Sequence, residues 1–177
     1  PVTLENNTSE EQFVELLNAL DTLKNTNIIF TKANSDTSGR IINKMIDEYV
    51  IKRSHCASFK SLGQLRYLSA LQYVDAVVGN SSSGLLEVPT FKIGTINIGD
   101  RQKGRTKAIS VIDCHPNKKS ILNAFERLYS NDFKNNLHNT TNPYGSAESS
   151  LEMIKTLKKI NFKKLLKKSF YDIDFEI

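Results

Sequence analysis

Short apolar runs alternate with amphipathic helical segments along most of this chain. The runs are largely continuous in apolar character, and they lie at residues 28–30, 55–59, 76–78, 95–98 and 111–112. Between them, leucine, isoleucine and phenylalanine recur at helical spacing. Continuous apolar strands separated by helices are typical of a parallel sheet that is covered on both faces. The pattern therefore predicts an α/β fold with a doubly wound, mostly parallel, Rossmann-like sheet.

The predicted order of elements begins with a helix, which is unusual for this architecture. We therefore expect the first strand of the sheet to lie upstream of Pro1, and the chain to be a piece of a longer protein. The polar, asparagine-rich residues 131–145 predict a loop, and a last helix is expected from Ser146. These features predict a Rossmann-like domain at residues 1–160 and a lysine-rich tail at residues 161–177.

The net charge of +5 does not indicate a nucleic-acid partner, because it is concentrated in one segment. Seven lysines and no acidic residue lie within residues 155–168, so the rest of the chain is close to neutral. No apolar run approaches the ~20 residues that span a bilayer. Two cysteines, Cys56 and Cys114, form no disulfide framework and predict a reduced, cytoplasmic setting. Neither has a paired C-x-x-C spacing, so we expect no metal site and no cofactor.

The densest set of small polar residues follows the predicted strand at residues 76–78. There the sequence reads GNSSSGLLE, and Pro89 is expected to end the helical turn that begins in it. Serine hydroxyls and the free N–H groups at a helix start bind anions. One serine is enough to cap a helix, worth ~1 kcal/mol, and a ligand-free capped turn is the alternative interpretation. Phosphate binding by this stretch is favoured, at Ser81, Ser82, Ser83 and Gly84. Glu87, one turn later, suits the hydroxyls of a sugar.

Loops that follow successive parallel strands meet at one edge of the sheet. The corresponding loops here are residues 32–39, 60–63, 79–84 and 99–105, and we expect them to form one crevice. Asn34 and Asp36 in the first loop suit a base or ribose, although turn formation explains both equally well.

The loop at residues 99–105 carries three cations, Arg101, Lys103 and Arg105. They suit a phosphate or carboxylate, and a solvated basic loop is an equally good interpretation. The sequence contains neither a P-loop nor a G-x-G-x-x-G motif. It also contains no triad and no acid pair suited to proton transfer. We therefore predict a binding domain without catalytic residues of its own.

Six motifs in order carry a family resemblance: PVTLE, TKANSDTSGR, SLGQLRYLS, GNSSSG-x-x-E-x-P, NIGDRQKGR and NPYGS. Up to about Leu157, the chain resembles the C-terminal half of hydrolysing UDP-N-acetylglucosamine 2-epimerases of the bacterial sialic-acid-pathway type. The resemblance implies a B-type glycosyltransferase-like fold, in which two Rossmann-like domains hold the nucleotide sugar between them. The implied reaction removes the C2 proton, expels UDP to leave 2-acetamidoglucal, and adds water to give N-acetylmannosamine.

The resemblance also implies roles for the candidate residues. Ser81 and Ser82 would contact the diphosphate of UDP, Glu87 the ribose hydroxyls, and Asn34 the nucleotide cleft. The UDP-binding set also includes Ser83 and Gly84. Arg101 and Arg105 match a basic loop of the family, and they are candidates for contact with a phosphate or an effector.

The implied partners are UDP, UDP-N-acetylglucosamine or a related UDP-sugar, and an N-terminal domain that supplies the acid and base carboxylates. A homo-oligomer is also possible for such a protein. The family places a histidine directly before Pro-Val-Thr, and this sequence starts at Pro1. We predict that these 177 residues alone do not turn over substrate.

Two other functions compete with the epimerase interpretation. One is the donor domain of a B-type glycosyltransferase, which has no evident need for the basic loop. The other is a non-catalytic interaction module that binds nucleic acid or an anionic membrane through the lysine-rich tail. The tail interleaves its lysines with apolar residues and ends in acids, a pattern that favours a helix packed on a further domain.

Overall fold

The structure is a computed structural model that describes residues 9–33, 37–145 and 148–162. The chain divides into two compact units, Pro1–Pro143 and Tyr144–Ile177. The first unit contains, in order, α1 (Ser9–Leu20), β1 (Ile28–Thr31), α2 (Thr37–Ile51), β2 (Cys56–Phe59), α3 (Gly63–Ala70), β3 (Ala76–Gly79), α4 (Ser83–Leu86), a 3-10 helix (Val88–Phe91), β4 (Gly94–Ile98), β5 (Val111–Cys114), α5 (Lys118–Tyr129) and α6 (Asn131–Leu137). The second unit contains α7 (Ser149–Lys159).

All strand pairs of the described residues are parallel, as the continuous apolar runs predicted. β1 pairs with β2 in one sheet, and a second sheet has the order β3-β4-β5. Parallel strands end at the same edge of a sheet, so the loops after β3 and β4 begin side by side. The expected further strand upstream of Pro1 stays a prediction.

One apolar core joins the two sheets with α1, α2, α5 and α6. α1 packs against α2 and α5, and α5 packs on β4 and β5. α5 is amphipathic, and its apolar face is buried through Ile121, Ala124, Phe125 and Leu128. Full burial of each large apolar side chain contributes about 1.5–3 kcal/mol. The core therefore fixes β4 and β5, and with them the start of every loop that follows these strands.

A close approach at Gly94 shows how tightly this core is packed. A Cβ at Gly94 would lie 2.2 Å from Leu128 Cδ1 and 3.3 Å from Phe133 Cε1. Interiors at crystal-like density have no room for an extra carbon at such distances. Glycine at the start of β4 therefore lets α5 and α6 lie directly on the sheet.

The prediction of a loop at residues 131–145 is wrong for its first half, which forms α6. The hydroxyl of Ser130 caps this helix by accepting a hydrogen bond from Phe133 N at 3.3 Å. The Phe133 side chain is buried in the core. A cap and one buried aromatic ring thus outweigh the low helix propensity of the asparagines.

Among the described residues of the second unit, α7 is the one α-helix. α7 begins at Ser149, whereas the predicted start at Ser146 lies outside the described residues. Most of its apolar side chains, among them Leu151, Ile154 and Leu157, are about half exposed. Residues 163–177 of the predicted tail also lie outside the described residues, and the domain boundary at residue 160 stays a prediction. Within the described ranges, every helix is too short or too polar to span a bilayer.

Candidate functional site

The three serines lie at the end of β3, in a tight connection to α4. We call residues 80–83 the serine turn. The chain leaves β3 through Gly79, whose φ of 147° is readily adopted only by glycine. Ser81 is exposed, whereas Ser82 and Ser83 are half-buried. The turn therefore presents short polar side chains at the carboxyl edge of the sheet, where the sequence predicted them.

The backbone of the serine turn is only partly used by internal hydrogen bonds. Ser83 N donates to Ser81 Oγ at 3.3 Å, and Gly84 N donates to Ser81 O at 3.2 Å. Ser82 O accepts from the N–H groups of Leu85 and Leu86. In the described part of the chain, the N–H groups of Ser81 and Ser82 have no hydrogen-bond partner. Two amide donors and two hydroxyl donors are therefore available to an anion.

The helix after the turn differs from the prediction in one respect. α4 is four residues long and ends at Leu86, and Pro89 lies inside the following 3-10 helix rather than ending a helix. Proline fits there because its fixed φ suits the first helical turn, where no N–H donor is needed. A helix this short adds little dipole, so the anion-binding capacity of the turn comes from its local donors.

Tyr67 on α3 holds the serine turn from one side. Its hydroxyl forms a hydrogen bond with the hydroxyl of Ser83. Burial raises the pKa of Tyr67, the bond to Ser83 opposes this rise, and the nearby Glu87 carboxylate adds to it. The phenol is therefore neutral at physiological pH and can bond to Ser83 without adding negative charge beside a phosphate site. Sequence reasoning did not single out Tyr67, although it lies in the SLGQLRYLS motif.

The basic loop, residues 99–105, is hydrogen-bonded to the serine turn. Gln102 is 2% exposed, and its Nε2 donates to Asn80 O at 2.8 Å. Arg101, Lys103 and Arg105 are exposed, and none of them forms an ion pair with another described residue. The predicted convergence is therefore confirmed for these two loops. Unpaired cations and unused hydrogen-bond donors lie on segments that are bonded to each other.

A polar cluster of Asn97, Lys107 and Asp113 fixes the chain just after the basic loop to β4 and β5. Lys107 Nζ lies 2.7 Å from Asp113 Oδ2, and Asp113 Oδ1 accepts from Asn97 Nδ2 at 2.7 Å. Asn97 and Asp113 are register partners on β4 and β5. The cluster ties the chain just after the basic loop to the strands on which the loop begins and ends.

Asn142, from the NPYGS motif, fixes the far end of α4. Its Nδ2 donates to Leu86 O and to Thr90 Oγ1, both at 2.8 Å. In the sequence, Glu87 lies between Leu86 and Thr90, the two residues that Asn142 bonds, and it is exposed. Four of the six motifs that carried the resemblance thus contribute residues to the serine turn or to its immediate support.

The structure does not describe two of the predicted candidates in the first loop. Asn34 and Asp36 lie outside the described residues, so their place in the site stays a prediction. The chain just before them is fixed, because Asn43 bonds both Ala33 N, at 2.8 Å, and Ala33 O, at 3.1 Å. The predicted loop at residues 32–39 is too long, since α2 already begins at Thr37.

Neither cysteine joins the site. Burial raises the pKa of Cys114 to about 11, with a further contribution from the Asp113 carboxylate. Burial likewise raises the pKa of Cys56. Both thiols are free, and the described residues contain no group of three potential metal-ligating side chains.

Comparison with known proteins identifies the family of this chain. The family model described as UDP-N-acetylglucosamine 2-epimerase matches residues 1–158. The chain belongs to this family. It is 45% identical over 98% of its length to the GDP/UDP-N,N'-diacetylbacillosamine 2-epimerase (hydrolyzing) of Campylobacter jejuni. It is 37% identical, again over 98% of its length, to polysialic acid biosynthesis protein P7 of Escherichia coli. The chain spans 45% and 44% of the length of these two relatives.

Solved structures of similar proteins confirm the α/β fold of the B-type glycosyltransferase-like class. A co-structure of S. aureus MnaA with UDP matches 95% of this chain and 44% of that one, with a TM-score of 0.69 and 13% identity. The UDP-GlcNAc 2-epimerase of Neisseria meningitidis bound to UDP-GlcNAc matches 85% of this chain and 41% of that one, with a TM-score of 0.62 and 16% identity. At these identities, the likeness concerns the fold alone.

Proposed function

We propose that this chain is the UDP-binding half of a hydrolysing UDP-sugar 2-epimerase. The observation that carries the proposal is the bond between Gln102 and Asn80, which joins the serine turn to the basic loop at the carboxyl edge of the sheet. The bond joins the segment that carries the hydroxyl and amide donors to the segment that carries Arg101 and Arg105, which form no ion pair with another described residue. This combination suits a diphosphate, which needs both directed hydrogen bonds and positive charge.

In this proposal the site holds the leaving group of the reaction. When the bond between the sugar and UDP breaks, negative charge builds on the oxygen that UDP carries away. Donors already aimed at that oxygen stabilise the transition state, and loss of one typically costs ~10²–10³ in rate. Ser81 and Ser82 take this role, because their N–H groups have no other partner among the described residues.

Glu87 is proposed to bind the ribose of UDP. Glu87 is exposed and lies one turn beyond the serines, and in the sequence it stands between Leu86 and Thr90, which Asn142 bonds. A carboxylate accepts two hydrogen bonds from vicinal hydroxyls, which suits the ribose diol. Asn34 is proposed to line the nucleotide cleft, and Arg101 and Arg105 to contact a phosphate or an effector.

The substrate is proposed to be UDP-N-acetylglucosamine or a related acetamido UDP-sugar. The names of the relatives, which include N,N'-diacetylbacillosamine, support an acetamido sugar. The acid and base groups are proposed to come from an N-terminal domain, because the serine turn and basic loop contribute donors and cations rather than a proton-transfer pair. The 177 residues alone are therefore expected to bind UDP without consuming UDP-N-acetylglucosamine. Family membership supports this function over a glycosyltransferase donor domain or an interaction module.

Calorimetric titration with UDP tests the proposal. The wild-type chain should bind UDP, and Ser82→Ala should bind it about tenfold more weakly, because a hydrogen bond to a charged group contributes ~1.5–3 kcal/mol. Ser54→Ala is the matched control, since Ser54 is exposed and lies in the turn between α2 and β2. Absence of UDP binding, or equal affinity of wild type and Ser82→Ala, would refute the site assignment.

A further inference from the structure

Gln102 is the one residue in the centre of the basic loop whose side chain is buried, and its neighbours Arg101 and Lys103 are exposed. Its amide group faces the carbonyl of Asn80, 22 positions earlier in the chain. Only an N–H group can bond to a carbonyl oxygen, so Nε2 must point at Asn80. The other atom of the amide, Oε1, is buried without a partner among the described residues.

The orphaned Oε1 argues against a purely structural role for Gln102. A buried acceptor without a hydrogen bond is unfavourable, because it has lost its contacts with water. A methionine of similar length would fill the same space without that penalty. What methionine cannot supply is a donor to Asn80 O, the carbonyl directly before the three serines.

We infer that Gln102 is a positioning residue that fixes the serine turn against the basic loop and so sets the separation of the two groups of phosphate-binding donors. It touches neither nucleotide nor sugar. It acts through Asn80, whose carbonyl it holds while the next two N–H groups, those of Ser81 and Ser82, stay available. The inference rests on the proposed function, because it takes UDP as the ligand of these donors.

The inference predicts a selective loss of binding. Without the bond from Gln102, the serine turn and the basic loop move independently, and the diphosphate must order them when it binds. The affinity for UDP should therefore fall. The affinity for uridine should not change, because uridine has no phosphate and its proposed contacts are with Glu87 and Asn34. A general defect in folding would lower the affinity for UDP and for uridine together.

Four proteins test the inference: the wild type, Gln102→Met, Gln102→Glu and the control Gln72→Met. Gln72 carries the same side chain at an exposed position, so its replacement matches the chemical change without touching the turn. UDP affinity is measured by calorimetry, uridine affinity by NMR shift titration, and folding by the thermal unfolding midpoint. We expect Gln102→Met to bind UDP about five- to tenfold more weakly, as suits the loss of one hydrogen bond, with unchanged uridine affinity.

Gln102→Glu adds a readout based on pH. An ionised carboxylate cannot donate to Asn80 O, whereas a protonated carboxyl group can. Relative to the wild type at the same pH, this variant should bind UDP poorly at pH 8 and recover toward wild-type affinity near pH 5. If Gln102→Met does not fold, absence of recovery in this pH series still overturns the inference.

Each outcome has a definite meaning. If the wild type binds UDP and Gln102→Met binds it equally well, the inference is wrong and the proposed function stands. Equal loss of UDP and uridine affinity in Gln102→Met, or no recovery of Gln102→Glu at low pH, also overturns the inference. If the wild type does not bind UDP at all, the proposed function fails, and the inference fails with it.

Discussion

Thr95 of β4 lies directly against Gly84, the second residue of α4. Its Oγ1 donates to Gly84 O at 2.9 Å, and its Cγ2 would lie 2.6 Å from a Cβ placed on residue 84. Both residues are buried. Because Gly84 has no side chain, the main chain at the start of α4 rests directly on Thr95 of the sheet. This contact holds the serine turn close to the end of β3.

Replacement of Gly84 by alanine should therefore destabilise the chain. The added methyl group overlaps Thr95 Cγ2, and overpacking of this kind costs about 1–3 kcal/mol. Urea unfolding measures the change. Thr95→Ser removes Cγ2 and keeps the hydroxyl, so the double variant Gly84→Ala, Thr95→Ser should recover most of the loss. If Gly84→Ala unfolds at the same urea concentration as the wild type, the close contact is not as described.

Loss of the Tyr67 hydroxyl should loosen the serine turn from the α3 side. Tyr67→Phe removes the hydrogen bond to Ser83 and keeps the ring, so stability should fall by about 1 kcal/mol and UDP affinity severalfold. A double-mutant cycle with Ser83→Ala, measured by urea unfolding and UDP titration, checks the pairing. The two substitutions should be less than additive. Full additivity would mean that the two hydroxyls do not act together.

The role proposed for Glu87 makes a prediction about ligand preference. Wild type should bind UDP more tightly than 2'-deoxy-UDP, because the carboxylate accepts a bond from the 2'-hydroxyl. Glu87→Ala should bind the two nucleotides with nearly equal affinity, and its affinity for UDP should fall about tenfold. Competition titration of both nucleotides against both proteins gives the ratio. A preference for UDP that survives in Glu87→Ala would place the ribose elsewhere.

Stability should fall in alkali partly because of Cys114. The folded state raises the pKa of its thiol from 9.0 to about 11, chiefly by burial. Between these two values the unfolded thiol loses its proton while the folded one keeps it, so unfolding is favoured. The stability that the protonated, buried thiol contributes is fully present below pH 9 and is lost as the pH rises to about 11. Urea unfolding at pH 8.5 and 10.5 should show a smaller alkaline loss in Cys114→Ala than in wild type.

Most strands were predictable because they are short, largely apolar runs, and the helices between most of them favoured parallel pairing. β4 and β5 pair in parallel although a loop, and no described helix, joins them. The serine turn was predictable for a similar reason, since its composition is visible within a few residues. α6 was missed because its helix depends on a single cap at Ser130 and on burial of Phe133. Neither produces a periodic pattern in a segment rich in asparagine.

The supporting residues of the site were not predictable from local pattern. Tyr67 meets Ser83 across 16 positions of the chain, Gln102 meets Asn80 across 22, and Asn142 meets Leu86 across 56. Nothing in the sequence around a glutamine shows that its amide will be buried against a distant carbonyl. Only the tertiary packing of the first unit brings these partners together. The family motifs marked the right stretches but did not show which of their residues hold the turn.

A crystal structure of this chain grown with UDP tests the central claim most directly. The account predicts diphosphate oxygens within about 3.2 Å of the donors of Ser81 and Ser82, and ribose hydroxyls at the same range from Glu87. Gln102 should keep its bond to Asn80 in the complex. UDP bound away from the serine turn, or bound with its uracil rather than its phosphates at the serines, would contradict the account.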